Sequence, residues 1–260
     1  MITLVTELSR APEVSVAELH AHLRGEFRDR VAALAGGVGL EQFILSARIP
    51  DPDIDGFSEA RGWAVAPDAL LQLSFATAQD AMSALAAASG HHLLSTPELA
   101  ALVDGTRTST FAATETIVFD SISVAERWGR PGQSDGPVKM IVQAWKRPDL
   151  TFEEFTGHWR DAHAPLVREH GPAMGFRRYV QSHRVQDPGL VSAAASASQR
   201  MSPDGMAEVW WTDRTAMHQG LASTAGLAAS ALMEKDEKEF LNPPAMWAFV
   251  ARESLEIDHD

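Results

Sequence analysis

Apolar and polar positions along the chain follow two periods, and the period switches repeatedly. Alternating or continuous apolar runs that fit strands cover residues 2–8, 40–48, 70–75 and 108–119, then 138–145, 176–185, 206–211 and 245–252. Helical spacing fills 15–35 and 78–88, then 152–169 and 214–222. Both series read strand, helix, strand, strand, helix, strand. That is the βαββαβ order of a ferredoxin-like unit, an antiparallel sheet with two helices on one face. The other sheet face is apolar and has to be covered. The expected fold is therefore α+β, with two tandem ferredoxin-like units, residues 1–120 and 137–255, packed sheet to sheet. The stretch between them, residues 121–136, ends in the polar, glycine-containing RWGRPGQSDG of a linker.

The two series are also related in sequence. An offset of 136 residues lays PEVSVAELHAHLRGEFRDRV on PDLTFEEFTGHWRDAHAPLV without a gap, matching Pro12 to Pro148, Glu18 to Glu154, His22 to His158 and Arg24 to Arg160. The same register carries Gly39 to Gly175, Ser46 to Ser182 and Leu85 to Leu221. One register kept from Pro12 to Leu85 indicates duplication. Each copy has an insertion between its second and third strands. PDPDID in the first lacks the glycine and closing glutamate of a calcium loop and reads as a solvated turn. The small-residue-rich second insertion, 186–203, reads as a mobile loop or lid, and the acidic tail from Glu253 as frayed.

Composition narrows the function. The chain has 260 residues and a formal charge of −13, which argues against nucleic acid or an anionic membrane surface as partner. It has no cysteine, so disulfides, thiolate nucleophiles and cysteine-ligated metals are excluded. Glu7, Glu13 and Glu18 interrupt the region where a secretion signal would need an apolar core. No apolar window approaches the ~18 residues of a membrane span. A cytoplasmic location is expected. GxGxxG, the P-loop, GxSxG and HExxH are all missing, so nucleotide binding, serine hydrolysis and a zinc site have no motif behind them.

The candidate chemistry lies in PDLTFEEFTGHWRDAHAPLVREHGPAMGFRRYVQSHRV, residues 148–185. Thr151 and Glu154 form a capping box, and Phe155, Trp159 and His163 follow at i, i+4 and i+8 on the face that should be buried. On the following strand Tyr179, Gln181 and His183 share one side, and Arg178, Val180 and Ser182 the other. The duplication supplies a control. The first copy has Phe27, Phe43, Leu45 and Ala47 where the second has His163, Tyr179, Gln181 and His183; Leu23 replaces Trp159, and Gln72 replaces Glu208. Burying polar groups costs free energy unless they are hydrogen-bonded, so an apolar set would serve architecture equally well. The second copy is thus expected to hold a pocket, with the first as scaffold. His158, matched by His22 and about 140° around a regular helix from His163, reads as structural or as part of the interface between the copies. His91 and His92, without counterparts, read as a surface turn or the border of a second pocket. Trp145, Trp159, Trp210, Trp211 and Trp247 crowd into the second copy and suit core packing or an aromatic-lined pocket.

LTFEEFTGHWRDAHAPLV, GFRRYVQSHRV and DGMAEVWW resemble the EthD family of dimeric α+β barrel proteins. Phe155, Trp159, Arg160, Asp161, His163, Pro165, Leu166, Arg178, Tyr179, Gln181 and His183 carry the likeness; His158 stands where the family usually has Tyr, and the first copy looks like a decayed EthD unit. The resemblance implies an intramolecular barrel and proton transfer on small, often cyclic carbonyl compounds in a hydrophobic pocket. On that basis the chain is expected to be a cofactor-independent isomerase or lyase. His163 would act as acid–base catalyst, and Tyr179 and His183 would polarise a carbonyl. Trp159, Gln181, Glu208, Trp211 and Arg178 would bind the substrate. The alternatives are an oxygenase, with or without haem on His163 or His92, and a non-catalytic binder of a hydrophobic metabolite. A homodimer could form through free sheet edges.

Overall fold

The computed structural model describes residues 1–86, 96–128, 136–196 and 200–258. In its first half, β1 (Ile2–Leu8) leads into a helix made of α1 (Val16–His22), a π turn (Leu23–Phe27) and α2 (Arg28–Val38). β2 (Leu40–Arg48), α3 (Pro52–Ala60), β3 (Ala69–Phe75), α4 (Ala78–Ala86), α5 (Pro97–Leu102) and β4 (Ser109–Asp120) follow. After α6 (Val124–Arg127) the order recurs: β5 (Val138–Ala144), α7 (Phe152–His158), a π turn (Trp159–His163) and α8 (Ala164–His170). A 3-10 turn (Gly171–Met174), β6 (Arg178–Arg184), α9 (Pro188–Ser196), β7 (Gly205–Trp211), α10 (Arg214–Ala222), α11 (Thr224–Glu237) and β8 (Ala248–Asp258) complete it. Ser15 with Glu18 and Thr151 with Glu154 both form the reciprocal capping boxes that start the long helices.

The eight strands close into one antiparallel barrel in the order β1-β3-β2-β8-β5-β7-β6-β4. Strands of the first half therefore lie in the order β4-β1-β3-β2 and those of the second in the order β8-β5-β7-β6. The halves are hydrogen-bonded to one another along β2 and β8 and along β4 and β6. Closure leaves none of these eight described strands with a free edge. The halves are joined edge to edge, and the bare sheet faces become the inner wall.

Three cores result. Val5, Leu70, Phe111, Ile141, Trp247 and Phe249 fill part of the lumen. Apolar residues of α1, the first π turn, α2, β2 and β3 form one outer layer, and residues of α8, β6, β7, α10 and α11 form the other. Polar groups share the lumen with the apolar ones. Gln72 donates to Glu208 at 3.0 Å and Gln143 to Glu7 at 2.7 Å, and each pair is 136 residues apart. Lys139, with no exposed side-chain surface, bonds Gln72 at 3.1 Å and Glu208 at 2.5 Å and lies 3.6 Å from Glu253. Glu253 also accepts from Trp210 at 2.6 Å and Arg127 at 2.9 Å. Burial opposes its charge, but Lys139 and Arg127 outweigh that and hold its carboxyl below the usual range.

Glu7 makes no ion pair among the described residues, and the pull of Arg200 on its charge does not offset burial. Burial dominates and pushes its carboxyl up to about 7, and Oε2 has no hydrogen-bond partner. The folded state then binds a proton that the unfolded state has already released, so the destabilisation grows as pH rises from the unfolded value of about 4.5 to about 7. Glu7→Gln keeps an acceptor for Gln143 and removes the charge. It is expected to raise Tm at pH 8, by an amount reflecting roughly 3 kcal/mol at most, and to leave it unchanged at pH 4.5. Thermal melts at the two pH values check this.

Several elements differ from the sequence expectation. PDPDID forms the start of α3: Asp51 is its N-cap, 1% exposed, accepting from Ile54 N and pairing with Arg214 and His218. The second insertion contains α9, which packs on β4 and α4 of the first half. The tail is no fray, because β8 runs to Asp258 along β2 and buries Glu253. The sequence reading has no counterpart of α11. His91 and His92 lie outside the described residues.

Candidate active site

The π turn Trp159–His163 organises the site. It inserts one residue into the helix, and five residues across it subtend a smaller angle than the 500° of a regular helix. His158 and His163 consequently reach the same carboxylate. His163 Nδ1 lies 2.8 Å from Asp236 Oδ2, and His158 Nε2 lies 2.9 Å from Oδ1. This corrects the separation expected for a regular helix. Burial works against the Asp236 charge, yet the two imidazole hydrogen bonds prevail and hold its carboxyl below the ordinary value. An ionised carboxylate only accepts, so neutral His163 carries its proton on Nδ1. Among the described residues its Nε2 has no hydrogen-bond partner, and the ring lines a cavity.

That cavity, of about 460 Å³, lies between the outer face of the second-half sheet and its helices. Met140, Val142, Val209 and Ala248 of the strands form the floor; Trp159, His163 and Phe240 form one wall, and Met233 and Glu237 of the α11 helix another. Ile54, Phe57 and Arg61 come from the first half, so both halves build the pocket. Arg61 lies over the Phe57 ring at 3.5 Å and pairs with Glu234 of α11 at 3.1 Å, tying the two halves together beside the cavity. Two glycines permit the close packing. A Cβ at Gly205 would stand 2.5 Å from the Trp159 ring, and one at Gly220 would stand 2.2 Å from Met174 O under α10.

The expected site residues separate into groups. Trp159, His163 and Tyr179 line the cavity together. Tyr179, 3% exposed, takes a hydrogen bond from Trp159 Nε1 at 3.3 Å, and burial pushes its hydroxyl up to about 12, so it remains a proton donor. Gln181 and His183 share its side of the strand but lie behind Trp159. Gln181 donates to Trp159 O at 3.0 Å, and the His183 ring packs 4.6 Å from the indole. Burial first, and then Arg160, pushes the His183 imidazole down to about 4. These two residues orient Trp159 and are not among those lining the cavity. Glu208 and Arg178 face the lumen, on the opposite side of the sheet, because strand side chains alternate. Glu208 bonds Gln72 and Lys139; Arg178 lies over Trp210 and pairs with Asp120. Trp211 anchors the 3-10 turn by donating to Met174 O at 2.9 Å and packs edge-on to Phe176.

Sequence reasoning missed Asp236 and Glu237 altogether. The segment TAGLAASALMEKDE has weakly amphipathic helical spacing, and its acidic end was the available signal. Burial pushes the Glu237 carboxyl up, against the opposing pull of His163. Among the described residues, Asp51, Asp53 and His218 have ligand atoms close enough to share a cation, but the Arg214 guanidinium is already 2.8 Å from Asp51.

The sequence profile of the EthD domain matches residues 147–244, the span containing His158, His163, Tyr179 and α11. Residues 147–244 are an EthD domain. An EthD family protein of Bacillus halodurans is 21% identical; the match covers 44% of this chain and 95% of that one, with a TM-score of 0.31. An anthrone oxidase-like protein aligns over 100% of this chain and 95% of its own, with 11% identity and a TM-score of 0.55, and shares the barrel fold. An aldoxime dehydratase solved with butyraldoxime aligns over 99% of this chain and 79% of its own, with 11% identity and a TM-score of 0.26. A comparison with curated protein sequences gives no match. Among the described residues, no helix is long and apolar enough to cross a membrane.

Proposed function

We propose that the EthD domain carries an acid–base enzyme that removes a proton from carbon beside the carbonyl of a small hydrophobic, cyclic compound. The observation that carries this reading is His163, fixed by Asp236 through Nδ1 and presenting an unpartnered Nε2 to an apolar cavity. Nε2 would take the proton, and Asp236 would stabilise the imidazolium that forms. The Tyr179 ring, 6.5 Å from that of His163, would direct its hydroxyl to the enolate oxygen, where low-dielectric walls strengthen the bond. Returning the proton to another carbon is isomerisation; expelling a leaving group is a lyase reaction.

We further read the halves as copies of one ferredoxin-like unit, residues 1–120 and 137–255. Both have a capping box, a π turn and matching strand order, at positions 136 apart. A two-fold axis brings a residue onto its own copy, which accounts for the Gln72–Glu208 and Glu7–Gln143 pairs. On this reading the first copy lost its chemistry and kept α3 as one wall of the pocket.

The test is α-proton exchange of β-tetralone in D2O, followed by NMR. Saturable acceleration by the wild-type protein is expected. A ketone that binds and exchanges no faster than in buffer would overturn the enzymatic reading in favour of passive binding.

A further inference from the structure

The base described above needs no carboxylic acid beside it to enolise a ketone, yet one faces the cavity from the end of α11. Glu237 ends α11, lines the same cavity as His163, and among the described residues has no hydrogen-bond or ion-pair partner for its carboxyl. A buried carboxylate without a partner is costly, and the surrounding apolar walls favour the neutral acid. Its charged surroundings are mixed. His163 and Tyr179 approach from the wall, Arg61 from the C-terminal end of α3, just beyond its last residue, and Glu234 and Asp236 from its own helix; Asp53 and His218 line the same cavity. Arg61 is already paired with Glu234, and Asp236 with both histidines. Neighbouring carboxyls thus occupy different environments: Asp236 is held ionised beneath the base, while Glu237 faces the apolar cavity. Two titratable groups driven apart in this way are the arrangement of an acid and a base acting on one ligand.

We infer that Glu237 is the general acid of this cavity and that the ligand is a hydrophobic β-hydroxy ketone, which loses water. This rests on the proposed role of His163. Nε2 takes the α-proton; the C–H electron pair forms the new C=C bond as the β C–O bond breaks, and the departing oxygen takes the Glu237 proton and leaves as water. The products are an enone, imidazolium and a carboxylate. Passing the imidazolium proton to Glu237 through solvent restores the start. No oxidant or cofactor enters the balance.

The probe is 4-hydroxy-4-phenylbutan-2-one, whose dehydration to the conjugated enone is read by ultraviolet absorption. Wild-type kcat should fall with rising pH as the acid is lost. Glu237→Gln should lower kcat roughly 10²-fold or more, with KM changed only a few-fold, and should remove the alkaline limb. With the corresponding β-acetoxy ketone, whose leaving group departs without a proton, the deficit should shrink at least tenfold. An equal deficit for both leaving groups would make Glu237 structural and overturn the inference, as would no deficit. Wild-type protein that exchanges β-tetralone but dehydrates nothing overturns this inference alone. Protein that does neither overturns the reading beneath it.

Discussion

His163→Ala is expected to lower β-tetralone exchange by roughly 10²–10⁴-fold, the usual contribution of a positioned general base. Among the other titratable groups on the cavity wall, Tyr179 holds its proton to about 12, burial favours the neutral acid at Glu237, and His218 is paired with Asp51 and Asp53. The fold should survive, because His158 still bonds Asp236 at 2.9 Å and Phe240 still stacks on His158. Far-ultraviolet circular dichroism should match the wild type, with a stability loss of about 1–3 kcal/mol from the missing hydrogen bond and packing. Asp236→Asn should also slow exchange while leaving ketone binding intact, because an amide no longer selects the Nδ1–H tautomer or stabilises the imidazolium. A fully active His163→Ala protein would remove the base assignment whatever happened at Asp236.

Lys139→Ala is expected to cost about 3–5 kcal/mol, read as a lower midpoint in urea unfolding. The ammonium sits in the lumen with no exposed surface, within 3.6 Å of Glu253 and bonded to Glu208. Arg127 and Trp210 still serve Glu253, so the uncompensated charge falls mainly on Glu208, which keeps only Gln72. Taking a single partner from a buried pair is what makes the loss large. Replacing both, Lys139→Met with Glu208→Met, should recover most of it, since apolar groups of similar size often match a buried ion pair in stability. Activity should follow stability, because this network lies on the opposite face of the sheet from the cavity. A double variant no more stable than the single one would show that Lys139 supports something besides Glu208.

The sequence was most informative where one period ran unbroken. The strands at Ile2–Leu8 and Leu40–Arg48 and the helix at Arg214–Ala222 fall where apolar spacing placed them. The offset of 136 led to His163, Trp159 and Tyr179, which do share the cavity. It also led to Glu208, which faces the lumen; the comparison reports that a polar residue replaced another, and strand alternation decides the side it points to. Gln181 and His183 pass both checks and still miss the cavity, because the Trp159 side chain lies over them. Local pattern carries no information about such a screen. The π turn is equally silent in sequence, and without it His158 and His163 diverge. The α11 helix, with Asp236 and Glu237, was overlooked because its apolar positions, mostly alanines, form only a weak stripe. Its place depends on packing against the 3-10 turn and α8, contacts made between distant parts of the chain.

The account rests on which nitrogen of His163 is free, and nitrogen-15 NMR of imidazole-labelled protein reads this directly. The neutral ring should carry its proton on Nδ1, His158 should show the opposite tautomer, and added β-tetralone should perturb the unprotonated Nε2 of His163. A proton found on Nε2, or an Nε2 signal indifferent to the ketone, would contradict the central claim.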